Sequence, residues 1–123
     1  MRKIYKIIDN TGFLRYYILA PNYGDAEYQL ITYDTILTDY IIEELSQEEM
    51  VWATENLQQN LYIFDIEYMD EILEKSSRQK YLISAANVAI ATTIIQNQVG
   101  PSFLRIMTIE RQTAILINNA VGV

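Results

Sequence analysis

Residues 81–104 read YLISAANVAIATTIIQNQVGPSFL, a run without one charged side chain in a chain of 123 residues. How this run folds decides the architecture. Its apolar and small residues fall on nearly every side of a helical wheel, and Gly100-Pro101 breaks it where proline suits the first position of a new helix. The pattern predicts an apolar helical hairpin, with arms over about 70–98 and 101–119. Asp70 looks like an N-cap, with Glu71 and Glu74 in the favourable first turn. A membrane span is disfavoured on length, because Ser84, Asn87, Thr92, Thr93 and Gln96-Asn97-Gln98 interrupt the run and a span needs about 20 consecutive apolar residues. An all-round apolar helix in so small a chain must be covered by something. Self-association is the expected cover. Ala85, Ala89 and Thr92 form a small-residue row, and Leu82, Ile94, Phe103, Ile106 and Ile109 supply the bulk of a homo-oligomer interface.

Upstream, Leu61 to Met69 alternates: Tyr62, Phe64, Ile66 and Tyr68 point one way, Ile63, Asp65, Glu67 and Met69 the other, as in a strand with one packed face. Ser46-Gln47-Glu48-Glu49 has the form of a capping box and predicts a helix over 47–58. Residues 26–45 fit two patterns. Leu30, Tyr33, Leu37, Ile41 and Leu45 make a helical stripe, whereas Thr32, Thr35 and Thr38 among many Ile and Tyr residues favour strands. The balance leans to a strand over 28–33 and a helix over 36–44. Pro21-Asn22-Tyr23-Gly24-Asp25 is a loop by composition. Residues 3–9 and 13–20 flank the turn chemistry of Asp9-Asn10-Thr11-Gly12 and predict a β-hairpin over 3–20. The expected fold is α+β in a single domain over 1–123. An N-terminal antiparallel, tyrosine-rich sheet with strand 61–69 and the capped helix occupies 1–69, and the self-associating helical hairpin occupies 70–123. No internal repeat or low-complexity tract is evident.

The chain has no cysteine and no histidine. That inventory removes thiol nucleophiles, His-based triads, structural zinc and haem or iron-sulfur ligation. It predicts no enzyme, no catalytic residue, no cofactor and no metal. Asp65, Glu67, Asp70 and Glu71 lie close in sequence but match no calcium-loop spacing. The charges fall in blocks. Arg2, Lys3, Lys6 and Arg15 open the chain, residues 16–74 hold carboxylates and no cation, and all but one of the charges after that are cationic. Either the basic ends fold back over the acidic middle, or that middle meets a basic partner. Glu43, Glu44, Glu48, Glu49 and Glu55 are the candidate partner surface, and Tyr16, Tyr17, Tyr23 and Tyr28, expected to be exposed, extend it. Nine dispersed cations make direct nucleic-acid binding a poor expectation. Arg105 and Arg111, isolated in an apolar context, are candidates for holding an anion.

These features predict a non-catalytic, self-associating structural or assembly protein, of the kind a bacteriophage virion contains, that presents an acidic tyrosine-rich surface to other proteins. The alternatives are a small acidic inhibitor of a basic nucleic-acid-binding host protein, and a protein that sequesters a small anionic ligand. The opening Met1-Arg2-Lys3-Ile4-Tyr5-Lys6 is too charged for an export signal. The expected location is therefore the cytoplasm of a bacterial host or an assembled virion, with no membrane insertion.

Overall fold

Residues 81–104 form no hairpin arm. In the structure, a computed structural model describing residues 2–53 and 60–118, they contain the end of a strand, a helix of 12 residues and the start of another strand. In order, the elements are β1 (Lys3–Asp9), β2 (Leu14–Ala20), α1 (Tyr23–Tyr33), β3 (Tyr40–Leu45), β4 (Val51–Trp52), β5 (Asn60–Asp70), β6 (Lys75–Ala85), α2 (Val88–Val99), a 3-10 turn (Gly100–Ser102), β7 (Phe103–Gln112) and β8 (Ile115–Ile117). The chain is mostly β, with two mixed four-stranded sheets and two short helices, so the expected N-terminal sheet with a C-terminal apolar helical hairpin is overturned.

The physical reasons are local. β6 is a central strand, and Leu82, Ile83, Ser84 and Ala85 are buried on both of its faces. Two-sided burial erases the polar alternation that marks a strand. Asp70 is not an N-cap: its Oδ1 accepts from the amides of Ile72 and Leu73, a turn at the tip of the β5–β6 hairpin, which Glu74 completes at φ 54°. In place of the second arm expected over 101–119, the described residues form β7, an edge strand, and then β8, and residue 119 lies outside them. Instead of the expected helix over 47–58, the described residues form a turn leading into β4, and residues 54–58 of that span lie outside the described ones. Residues 26–45 invert the expectation. α1 ends at Tyr33 and β3 spans Tyr40–Leu45, because Asn22 starts a helix: its Oδ1 accepts from the Asp25 amide at 2.8 Å.

Two compact units emerge, Met1–Gln47 with Thr113–Val123, and Glu48–Gln112. In the first, β1 and β2 form an antiparallel hairpin, α1 packs on one sheet face through Ala26 and Leu30, and β3 returns antiparallel to β1. β8 adds parallel to β2, giving the order β3-β1-β2-β8. Asp9 sets the hairpin turn by accepting from the Thr11 and Phe13 amides and the Thr11 hydroxyl, and Gly12 takes φ 84°. Buried Gln29 donates to the Leu19 carbonyl at 3.0 Å, tying α1 to β2.

The second unit repeats this plan. β5 and β6 form a longer hairpin, of 11 residues in each strand against 7, α2 follows, and β7 returns antiparallel to β5. β4 adds parallel to β6, so the order read from the other edge, β7-β5-β6-β4, is the same. The strand registers make the cores equivalent position by position: Tyr5 with Tyr62, Ile7 with Phe64, Ile18 with Ile83, Ala20 with Ala85, Ala26 with Ala91, and Leu30 with Ile95. The helix caps match too, Asn87 accepting from Ile90 as Asn22 accepts from Asp25. The segment RYYILAPN (15–22) aligns without a gap on KYLISAAN (80–87). The chain therefore contains an internal repeat, correcting the expectation of none; its halves differ in hairpin length and share little beyond core positions, which hides the period.

Candidate functional site

α1 owes its two faces to its sequence. Ala26, Gln29 and Leu30 point to the sheet and are buried, leaving Tyr23 54%, Tyr28 57%, Ile31 53% and Tyr33 49% exposed. Asp25 and Glu27 lie beside them, and no cation occurs between Arg15 and Lys75. Burial, then the nearby Glu27 and Tyr23 of α1, pushes the hydroxyl of Tyr40 on β3 up from its ordinary value.

At the C-terminal end of this helix lies a connected polar cluster. The Tyr16 hydroxyl donates to Asp34 Oδ2 at 2.6 Å, and Asp34 Oδ1 accepts from the amides of Ile36 and Leu37 at 3.1 and 3.0 Å. The Tyr16 ring meets Tyr33 edge-on with centroids 5.5 Å apart. The Arg15 guanidinium lies 6.0 Å from the Tyr16 ring centroid and 3.5 Å from Asp9 Oδ2. The hydrogen bond from Tyr16 holds the Asp34 carboxyl below the usual carboxylate range, and the Thr11 hydroxyl does the same for Asp9. Burial, then the hydrogen bond to Asp34, raises the Tyr16 hydroxyl. An open cavity of 360 Å³ lies beside the cluster between Asn10, Arg15, Asp34, Leu37 and Asp39. Its lining mixes one guanidinium with two carboxylates. The second unit has a 440 Å³ cavity likewise beside its hairpin turn and helix end, between Tyr68, Glu71, Tyr81, Gln98 and Ser102.

The repeat supplies an internal comparison. By the alignment of the caps, Asp25, Glu27, Tyr28 and Ile31 correspond to Ile90, Thr92, Thr93 and Gln96. The outward face of α2 thus carries no charge and no aromatic ring. Core positions stay alike while the exposed face of α1 alone is acidic and aromatic.

The residues singled out from the sequence are dispersed. Leu82 and Ala85 are fully buried in the second unit, Ala89 is exposed on α2, and Thr92 and Ile94 are half-buried there. Phe103 and Ile106 on β7 pack against the second core, and Ile109 is 38% exposed. These eight positions therefore belong to β6, α2 and β7 and do not share a helical hairpin. Glu43 and Glu44 on β3 are paired with Lys6 at 3.3 Å and Lys3 at 2.9 Å. Glu48 and Glu49 are exposed in the turn before β4, and Glu55 lies outside the described residues. Arg105 bonds Glu67 directly opposite it on β5 at 3.1 Å, and Arg111 donates to Asn60 at 2.9 Å. Asp65 holds Arg78 through two hydrogen bonds. Among the described residues, no three carboxylates converge on a point where a metal ion would sit. Tyr16 and Tyr17 are buried, whereas Tyr23 and Tyr28 are exposed.

Sequence reasoning missed α1 and with it Asp34, because Asn22-Tyr23-Gly24-Asp25 looks like a loop until the apolar spacing of Ala26, Leu30 and Tyr33 is counted from it. Comparison with known proteins gives no matching family model, no matching curated protein and no matching solved structure, so the chemistry of this face is the ground on which function is argued.

Proposed function

We propose that the protein is a non-catalytic binding module whose outward α1 face docks on a basic surface of another protein. The observation that carries this reading is the contrast between the equivalent helices: α1 exposes Tyr23, Tyr28 and Ile31 beside Asp25 and Glu27, while α2 exposes Val88, Ile90, Thr93 and Gln96 with no charge and no aromatic ring. Exposed aromatics framed by charge are the composition of interface anchors, and carboxylates without neighbouring cations steer a basic partner into contact. Lys3 and Lys6 on β1, Arg78 on β6 and Arg105 on β7 are occupied by carboxylates of their own unit, which leaves fewer cations to repel a basic partner. The α1 face is the acidic aromatic surface offered to that partner. Such a module serves assembly when its partner is a component of a larger particle.

The α2 face supplies the test. Replacing Tyr28 by Thr and Ile31 by Gln, the residues at the equivalent positions of α2, leaves the buried face of α1 untouched. A partner recovered with the wild-type protein and then purified should bind this double variant about tenfold or more weakly, and should bind the wild type more weakly at high salt. The matching control, Thr93→Ser on α2, should bind as the wild type does. Undiminished binding by Tyr28→Thr/Ile31→Gln, or binding indifferent to salt, overturns the assignment.

A further inference from the structure

We propose that the chain is a fused pair of one β-β-α-β-β element in which each half closes its sheet with the last strand of the other half, so that covalent continuity between Ala53 and Asn60 is dispensable once the protein has folded. The first half runs through β1, β2, α1, β3 and β4, and the second through β5, β6, α2, β7 and β8. Each half makes a hairpin, sends a capped helix across it and returns a strand antiparallel to the first. At that point each behaves unexpectedly for a self-contained domain. β4 does not join the sheet of β1–β3 but lies parallel to β6, and β8 does not join the sheet of β5–β7 but lies parallel to β2.

The exchange is in register. β8 places Ile115 and Leu116 opposite Tyr16 and Tyr17, and β4 places Val51 and Trp52 opposite Tyr81 and Leu82. Tyr16 and Tyr81 are equivalent by the RYYILAPN and KYLISAAN alignment. The next residue in each case enters the other half's core: Ile117, 2% exposed, among the side chains of the first unit, and Ala53, 3% exposed, among those of the second. The Ala53 amide donates to the Leu82 carbonyl at 3.1 Å, continuing the ladder. A strand this short has no stability of its own, and its occurrence twice, at one register position, facing equivalent residues, marks a shared origin in a symmetric pair of chains that exchanged these strands. Each unit is consequently built from both halves, and neither half holds a whole unit.

The decisive experiment inserts a protease recognition sequence between Ala53 and Asn60 of the full chain and cuts the folded protein. The two pieces should remain one species with the intact mass by native mass spectrometry and an unchanged far-UV spectrum. Their melting midpoint should fall on dilution, which that of the uncut form does not. Pieces that separate without denaturant, or a spectrum that collapses on cutting, overturn the proposal. A second measurement needs no cut. Ile117→Ala in the native chain should speed hydrogen exchange at least tenfold in β2 and α1 while leaving β5 and β7 unchanged, and Ala53→Asp should do so in β6 and α2 while leaving β1 and β3 unchanged. Loosening centred on the variant's own half is the contrary result.

Discussion

Asp34 ends α1 with both carboxylate oxygens occupied, one by the Tyr16 hydroxyl and the other by two backbone amides, and Asp9 is bonded in the same manner within its hairpin turn. Both carboxyls titrate below their ordinary value of 3.8 in the folded chain. A depressed native value means that the stabilisation is complete above the unfolded value and disappears as pH falls through the native one. Urea unfolding followed from pH 7 down to pH 2 should therefore show an acid limb that Asp34→Asn and Asp9→Asn flatten, with both variants less stable than wild type at neutral pH. An unchanged limb would mean that these bonds do not distinguish the folded from the unfolded state. The two helix caps make a paired prediction: Asn22→Ala and Asn87→Ala should each cost about 1 kcal/mol in the same assay. At this scale residue chemistry was legible but its context was not. Asp70 and Asn22 both have side chains that bond nearby amides, and the same chemistry serves a hairpin tip at one and a helix start at the other.

Among the elements, β5 was the plainest to read because Tyr62, Phe64 and Ile66 alternate with partly exposed residues on the other face. β6 and β7 defeated the same rule for opposite reasons. The C-terminal end of β6 is buried on both faces, so its apolar residues are continuous, while β7 is an edge whose exposed Leu104, Met107 and Ile109 break any alternation. Periodicity reports which faces are covered, and only indirectly which element is present. The helices carried a clearer signal, in the recurrence of Ala and then a branched aliphatic four residues on, at Ala26 and Leu30 and at Ala91 and Ile95. All four are fully buried against their sheets. Leu30→Ala and Ile95→Ala should each lower stability by about 2–5 kcal/mol, the cost of a core cavity. The face substitutions Tyr28→Thr and Ile31→Gln should each stay within about 0.5 kcal/mol. A large loss from the face pair, measured by chemical denaturation, would mean that α1 is held by its outer residues and that its exposed face is structural.

In the molecule as a whole, both units are acidic, with four cations against seven carboxylates in the first and five against nine in the second. The charge blocks legible in the sequence are resolved within the units, as Lys3 and Lys6 on β1 meet Glu44 and Glu43 on β3 while Arg78 and Arg105 meet Asp65 and Glu67. Exposed pairs of this kind contribute at most about 1 kcal/mol each, so they neutralise the surface more than they hold it together. The exchanged strands matter more. Withdrawing β8 from the first unit removes the buried Ile117 side chain, about 1.5–3 kcal/mol, and the ladder bonds to β2 at roughly 1 kcal/mol each. Against a typical domain stability of about 5–15 kcal/mol, that is a large share of what holds the first unit, and β4 makes the corresponding contribution to the second. In calorimetry of the intact chain, Ile117→Ala should therefore lower the melting of the first unit and leave that of the second in place. Ala53→Asp should do the reverse. A variant that leaves the melting of the unit it completes unchanged would make its exchanged strand a record of ancestry without a part in stability.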